Sequence, residues 1–379
     1  MLRIDNINIR NKKILIRVDF NVPIVNGIIT DINRIEASVA TINYALEQNA
    51  AIILMSHLGD PVGGFAEHQN LSLNIIVPIL EKLLNKPVKF LTDWFIQDQI
   101  DAETGQVVLC ENIRFIAAEK QNDPEFAKKL AGFADVVVID SFATAHRMHA
   151  SNYGILTYAN LAVAGLLLYK EVNILQQALF NPVRPLVAVV GGAKISTKLK
   201  VLKSLENMVD CLIVGGAIAN TCLSAKGYNV GRSLRDLDFL ELAQELKSVV
   251  LPEDVVVLSS NGLIQQKNIA SIADFDCILD LGEKTIEKYQ NIIKTANTIL
   301  WSGPVGKFED PRFANGTRCL AEAVCGSHAM SIVGGGDTLA VIKQFKLDGF
   351  SYLSTGGGAF LEFIENHTLP VIDLLNKFG

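Results

Sequence analysis

Four times in its second half the chain passes from a short apolar, largely β-branched run through bare glycines into a stretch with helical patterning. The junctions are Val190-Gly191-Gly192-Ala193-Lys194, Val214-Gly215-Gly216, Ile332-Val333-Gly334-Gly335-Gly336-Asp337-Thr338 and Thr355-Gly356-Gly357-Gly358. A strand that ends in a glycine turn and feeds a helix is the building unit of an α/β sheet. Glycines at such turns let main-chain N–H groups approach an anion with no Cβ in the way. The helix N-terminus adds free donors and the positive end of its dipole. One glycine triplet after a strand reads as readily as a tight turn; four in this context point to a site for a polyphosphate. Within the third junction, Asp337 is placed to hold a divalent cation and Thr338 to donate to a phosphate oxygen.

The alternation runs the length of the chain. Strands are expected at Lys13–Val18, Ala51–Met55, Val107–Cys110 and Val136–Ile139, then at Leu186–Val190, Cys211–Val214, Val255–Leu258, Cys277–Asp280, Thr298–Trp301, Ala329–Val333 and Tyr352–Ser354. Helical patterns fill the gaps, among them Arg34–Gln48, Ser72–Leu84, Thr197–Met208 and Gly316–Cys325. Such a pattern predicts parallel sheets covered by helices on both faces, with ligands beyond the carboxyl ends of the strands. A chain of 379 residues exceeds one ordinary core, which predicts two domains. The break is expected between Tyr153 and Pro185, where Leu161–Leu179 reads as one long apolar helix, stopped by Pro182 and Pro185. The expected division is 1–160 with a returning tail at 368–379, a connecting helix and linker at 161–184, and 185–367.

Charge and cysteine usage narrow the partners. The formal net charge is −6, which argues against general binding to nucleic acid or a membrane surface. No apolar run approaches the ~20 residues of a membrane helix, and the N-terminus lacks the plan of a signal peptide. The six cysteines form no Cys-x-x-Cys pair, so a reducing, cytoplasmic setting is expected, with no disulfide framework and no zinc site. His146 and His149 stand three apart, but no third ligand is apparent.

The halves carry different chemistry. In the second, Lys194 and Lys198 share one face of a helix start. They could be a solvated face, yet they oppose the helix dipole, and an anionic ligand would explain them. In the first, Arg34, His57, Arg114 and Arg147 stand at strand ends, and arginine forks suit phosphate or carboxylate. His57 could equally be structural, Asp19 could cap a turn, and Glu111 could pair with Arg114. One half therefore suits a nucleotide and the other a small anion. A dinucleotide oxidoreductase is disfavoured because Val18-Asp19-Phe20-Asn21 follows the first strand where Gly-x-Gly-x-x-Gly would stand. A P-loop is absent as well.

These residues, taken in order, carry a family resemblance. Arg17-Val18-Asp19-Phe20-Asn21-Val22-Pro23, Met55-Ser56-His57-Leu58-Gly59, Glu111-Asn112-Ile113-Arg114-Phe115 and Thr144-Ala145-His146-Arg147 lie in the first half. Gly191–Lys198, Gly303-Pro304-Val305-Gly306 with Phe308-Glu309, Gly334–Thr338 and Ser354–Ala359 lie in the second. Together they resemble the phosphoglycerate kinases along essentially the whole chain. The resemblance implies an α/β fold of two doubly wound, Rossmann-like parallel-sheet domains facing a cleft and joined by a long helix. It implies reversible phosphoryl transfer between 1,3-bisphosphoglycerate and MgADP, giving 3-phosphoglycerate and MgATP, in a cytoplasmic monomer. By the same resemblance Asp19, Asn21, Arg34, His57, Arg114 and Arg147 would hold the phosphoglycerate. Lys194, Lys198, Gly216, Glu309, Gly335, Gly336, Asp337 and Thr338 would hold ATP or ADP, with Mg²⁺ on Asp337. Arg34, Lys198 and the amides of Gly335 and Gly336 would stabilise the transferring group, and Leu369–Leu375 would return to the first domain.

The chain also departs from the family pattern. Asp60 stands where an arginine usually follows Ser-His-Leu-Gly, which predicts weaker binding of 3-phosphoglycerate. Ala217, Ile278, Ser302 and Lys307 differ on the nucleotide side, predicting a tighter adenine slot with a cation at its rim. Ala143, in place of a frequent glycine, carries little weight. These changes are also the only support for a second reading, a non-catalytic relative kept as a scaffold. Arg34, Lys198 and Asp337 together argue against it.

Overall fold

The computed structural model describes residues 1–61, 68–193 and 195–379, with the backbone alone at 195–197 and 199. It divides into two compact units, Met1–Asn173 with Thr368–Gly379, and Ile174–His367.

The first unit carries β1 (Lys13–Val18), a hairpin of β2 (Ile24–Val25) and β3 (Ile28–Ile29), then β4 (Ala51–Met55), β5 (Val88–Leu91), β6 (Val107–Cys110), β7 (Val136–Asp140) and β8 (Ala162–Ala164). Six of these form one parallel sheet in the order β5-β6-β4-β1-β7-β8. The chain winds outward from β1 through β4 and then starts again on its other side at β7. The switch point of the sheet therefore lies between β1 and β7, where ligand sites of this architecture form. The central strands are buried on both faces, as their largely apolar runs require, with Arg17 in β1 and Asp140 at the end of β7 as buried charged exceptions.

The second unit repeats the plan with β9 (Leu186–Val190), β10 (Cys211–Val214), β11 (Val249–Val250), β12 (Asp254–Leu258), β13 (Ile264–Asn268), β14 (Cys277–Leu281), β15 (Thr298–Ser302), β16 (Met330–Val333) and β17 (Tyr352–Leu353). The parallel sheet has the order β11-β10-β9-β15-β16-β17, with its switch point between β9 and β15. The remaining strands form a separate antiparallel sheet, β13-β12-β14.

Two expectations need correction, and β5 was not expected at all. Leu161–Leu179 is not one helix: Ala162–Ala164 is the edge strand β8 on β7, and the helix is Leu166–Phe180. A short apolar run serves either element, and tertiary pairing decided it. The helix start is fixed by Asp140, whose Oδ1 accepts from the N–H groups of Leu167 at 2.9 Å and Leu168 at 3.1 Å. The unit boundary falls inside this helix. Second, Val255–Leu258 and Cys277–Asp280 belong to the antiparallel sheet. Their partner β13 is a largely exposed strand with no apolar alternation to reveal it. The clue was Asn261-Gly262, the latter at φ +81°, a common hairpin turn pair. Strand β5 passes unnoticed in the sequence because lysine interrupts Val88-Lys89-Phe90. The tail belongs to the first unit: the helix Pro370–Leu375 is anchored there, with the Val371 N–H donating to Ala145 O at 3.3 Å.

Candidate functional site

In the first unit the anion-binding candidates follow the carboxyl ends of adjacent strands. Asp19 and Asn21 follow β1, His57 follows β4, Arg114 follows β6 and Arg147 follows β7. Arg34 enters from the first turn of the helix Asn33–Glu47. Its Nη1 donates to Asn21 O at 2.9 Å and pairs with Asp19 Oδ2 at 3.0 Å. Asp19 also accepts from the Asn21 N–H at 3.1 Å, so it both caps the turn and orients Arg34. Asn21 Oδ1 accepts from the Gly59 N–H at 2.9 Å, tying the β1 loop to the β4 loop.

The sequence named Arg17 only as part of a motif. It is 2% exposed on β1, the one charged side chain in that strand's buried run. Its Nε donates to Ser151 Oγ at 2.9 Å and its Nη1 to Val18 O. Its Nη2 lies 3.3 Å from His57 Nδ1. A guanidinium can only donate, so Nδ1 accepts and the neutral ring carries its proton on Nε2. Asp19, at 3.7 Å from the same nitrogen, is too far to reverse that choice. Burial, reinforced by Arg17, Arg114, Arg147 and Arg34, holds the His57 pKa well below its usual 6.5. The signal for Arg17 was available, since an arginine inside an apolar parallel strand needs buried partners.

Glu111 does not pair with Arg114. Its carboxylate accepts from Ser72 Oγ at 2.5 Å and from the N–H groups of Leu73 at 2.8 Å and Asn112 at 2.6 Å. Arg114 instead donates through Nη1 to Gly59 O at 2.7 Å and to Asp60 Oδ1 at 3.0 Å. Asp60 also pairs with the Lys120 ammonium. That contact first, and Arg114 and Lys120 through their charge, keep the Asp60 carboxyl below its usual range. The unusual acid thus lies directly on a candidate substrate arginine.

Histidines make this region acid-sensitive. Burial first, then nearby arginines, lowers the pKa values of His146 and His149 to about 4. Between pH 6.5 and 4 the unfolded chain binds protons that the folded chain refuses. The stability these histidines contribute is complete above 6.5 and is lost as pH falls toward 4. Asp140 and Asp280, pushed up to about 6 by burial, act in the opposite sense as pH falls. Glu119, its carboxyl also raised by burial, acts with them, so the histidine contribution is read from the difference between wild type and variant. Between pH 6.5 and 4 the melting temperature of His149→Gln is expected to fall less, or rise more, than that of wild type. Parallel wild-type and variant profiles would contradict this.

In the second unit the candidates surround the switch point. Lys198 is buried, and its Nζ donates to Gly191 O at 2.6 Å, beyond β9, and to Ser302 O at 3.3 Å, at the end of β15. Here the strand ends touch main chain to main chain: a Cβ on Gly191 would lie 2.1 Å from Pro304 O. Lys194 lies outside the described residues. Beside the switch point is a cavity of about 520 Å³, lined by Gly216, Ala217, Ile278, Lys307, Glu309 and Asp337 among others. Three of the four altered nucleotide-side positions therefore face it. The third glycine junction turns at Gly335, whose φ of +103° excludes a side chain without strain, and opens the helix Gly336–Phe345. The first amides of that helix have no intrahelical acceptors. Asp337 is exposed at the cavity and Thr338 is fully buried. The Thr338 hydroxyl donates to Gly334 O at 3.0 Å and accepts from the Gly303 N–H at 2.7 Å. Its proton is already committed to the turn, so the expected phosphate donation from this hydroxyl is corrected: the main-chain N–H is what Thr338 can offer.

Among the described residues no group of three or more His, Cys, Asp or Glu could cage a metal ion. The exposed Asp337 carboxylate at the cavity fits Mg²⁺, which takes one or two protein carboxylates and completes its shell with other oxygens and water.

A family model described as phosphoglycerate kinase matches residues 4–367. The chain belongs to the phosphoglycerate kinase family. It is 47% identical to a phosphoglycerate kinase of Francisella philomiragia, covering 99% of this chain and 98% of that one. It is 46% identical to that of Legionella pneumophila, covering 100% and 98%. The solved phosphoglycerate kinase of Coxiella burnetii superposes with a TM-score of 0.92 at 47% identity, with 99% of each chain covered. That of Pyrococcus horikoshii does so at 0.84 and 30%, covering 99% and 98%. The activity is that of a phosphoglycerate kinase, a transferase of glycolysis that binds ATP. No helix among the described residues is long and apolar enough to cross a membrane.

Proposed function

We propose that the first unit binds 3-phosphoglycerate and 1,3-bisphosphoglycerate and the second binds ADP and ATP with Mg²⁺, in a cytoplasmic monomer. The observation that carries the reading is the paired arrangement of strand ends: arginines and a neutral histidine along the ends of β6, β4, β1 and β7, and a buried lysine, glycine turn and cavity at β9/β15. In the first unit, Arg34, Arg114 and Arg147 offer forks to phosphate and carboxylate oxygens. Asn21 and the His57 Nε2–H add neutral donors, and Asp19 holds Arg34 in place. In the second unit, Gly216 and Glu309 bound the nucleoside cavity, while Asp337 and the amides of Gly335, Gly336 and Thr338 face the phosphates.

The transferring phosphoryl is metaphosphate-like, so the protein positions it and neutralises its charge. Arg34, Lys198 and the amides of Gly335 and Gly336 are the groups for that task, donating to the equatorial oxygens as charge develops. Mg²⁺ on Asp337 would neutralise charge on the nucleotide phosphates. The acceptor carboxylate is ionised at neutral pH, so no protein base is needed. Transfer requires the two bound substrates to meet with water excluded.

Asp60 supplies the test. Its carboxylate competes with the substrate phosphate for Arg114, through an exposed and salt-screened contact. Asp60→Asn is expected to lower the KM for 3-phosphoglycerate about five- to tenfold, or roughly 1 kcal/mol, and to leave the MgADP Kd unchanged. An unchanged KM would remove Asp60 from the anion site; a shifted nucleotide Kd would contradict the division of substrates between the units.

A further inference from the structure

We infer that Lys120 is a further ligand for the phosphate of 3-phosphoglycerate, acting beside Arg114. The inference rests on the substrate reading above and adds a residue to it. Lys120 ends the short helix Ala117–Lys120. Its neighbour Glu119 is buried and accepts from Ser151 N at 2.8 Å and Ser151 Oγ at 2.7 Å, so the base of the Lys120 side chain is fixed. Nothing in the linear chain singles this lysine out; its contacts do.

One oxygen of the Asp60 carboxylate, Oδ1, accepts from Arg114 Nη1 at 3.0 Å and from Lys120 Nζ. Two cations from different elements therefore reach a single anionic oxygen, which is what a substrate phosphate would present to them. Asp60 Oδ1 marks the place of one phosphate oxygen, with both donors already aimed there. The three side chains differ in how firmly they are held. That of Arg114 is 6% exposed and is also tied to Gly59 O at 2.7 Å, whereas that of Asp60 is 66% exposed and leaves at little cost. Charge favours the exchange, since a carboxylate carries one negative charge and a phosphate monoester about 1.5 to 2 at pH 7. Among the described residues Asp60 is the one acidic partner of Lys120, so an ammonium released from it is free to take the phosphate. Burial first, then Arg114, Arg147, Arg17 and Lys120, lowers the His149 pKa, so Lys120 stands among the cations of this site and not on a remote face.

A lysine that binds substrate and one that only holds Asp60 give different double-mutant cycles. Lys120→Met is expected to raise the KM for 3-phosphoglycerate about fivefold, with kcat within about threefold and the MgADP Kd unchanged. In the Asp60→Asn background no carboxylate competes, and the same change should raise KM about tenfold. Lys120→Arg, which keeps the charge, should stay within about threefold of wild type. The contact is half-exposed, so the rise should shrink as ionic strength increases. If Lys120→Met leaves KM unchanged in the Asp60→Asn background, Lys120 serves only to hold Asp60 and the inference falls. A shifted MgADP Kd overturns it as well. Arg147→Met, assayed alongside, separates the failures. If its KM rises and those of the Lys120→Met proteins do not, only the Lys120 inference falls. If neither moves, the assignment of 3-phosphoglycerate to these strand ends falls with it.

Discussion

Lys198→Met is expected to lower kcat by about two to three orders of magnitude, the usual loss when one preorganised donor to a charged transition state is removed. Lys198 Nζ is fixed by two carbonyls from the two strands that flank the switch point, Gly191 O and Ser302 O. A cation so held loses little freedom when negative charge builds on the transferring oxygens. Methionine keeps the length and apolar stem and removes only the ammonium, so the fold should persist. The nucleotide Kd should weaken far less than kcat falls, because charge on the phosphoryl oxygens redistributes most in transit. A kcat within tenfold of wild type would leave Lys198 as a ground-state contact and return the burden to Arg34 and the glycine amides.

The second large effect is on stability. Glu119→Ala is expected to destabilise the protein by about 3–5 kcal/mol, the cost of removing one partner from a buried, hydrogen-bonded charge cluster. Glu119 is 1% exposed, and its carboxylate accepts from Ser151 N at 2.8 Å and Ser151 Oγ at 2.7 Å. The same Ser151 Oγ accepts from Arg17 Nε, and Arg17 in turn reaches His57. Deleting the carboxylate removes the larger of the two negative charges that support the Arg17 guanidinium, Asp19 being the other, and loosens the group that sets the His57 tautomer. The melting temperature should fall by roughly 10 °C. Glu119→Gln, which keeps an acceptor for Ser151, should fall less, and the difference measures the charge. A melting temperature within 2 °C of wild type in Glu119→Ala would show that Arg17 is held without it.

Much of this was legible in the linear chain, and the reason is periodicity. Parallel strands buried on both faces read as near-continuous apolar runs, as in Ile14–Ile16, Ile52–Met55 and Val187–Val190. The glycine clusters could be read as turns at strand ends because few other residues tolerate the positive φ such turns use, as at Gly192, Gly216 and Gly335. The candidate residues stand at those ends, so topology brings them together once the strand order is known. Where pattern is weak, reading failed: β13 is exposed and polar, β5 is broken by lysine, and β8 looked like the first turn of a helix.

What the sequence determined by itself was the alternation, hence the fold class, and the inventory of arginines, lysines, glycines and the acid Asp337 available for phosphoryl chemistry. What only the tertiary structure decided was the state of each group. Asp60 lies on Arg114, Glu111 supports a loop, the Thr338 hydroxyl is committed, and that of Ser302 is left over. Local periodicity follows from neighbours a few residues apart, which the sequence contains. Hydrogen-bond satisfaction depends on partners tens of residues away, such as Gly303 and Thr338, which only the folded chain brings within reach.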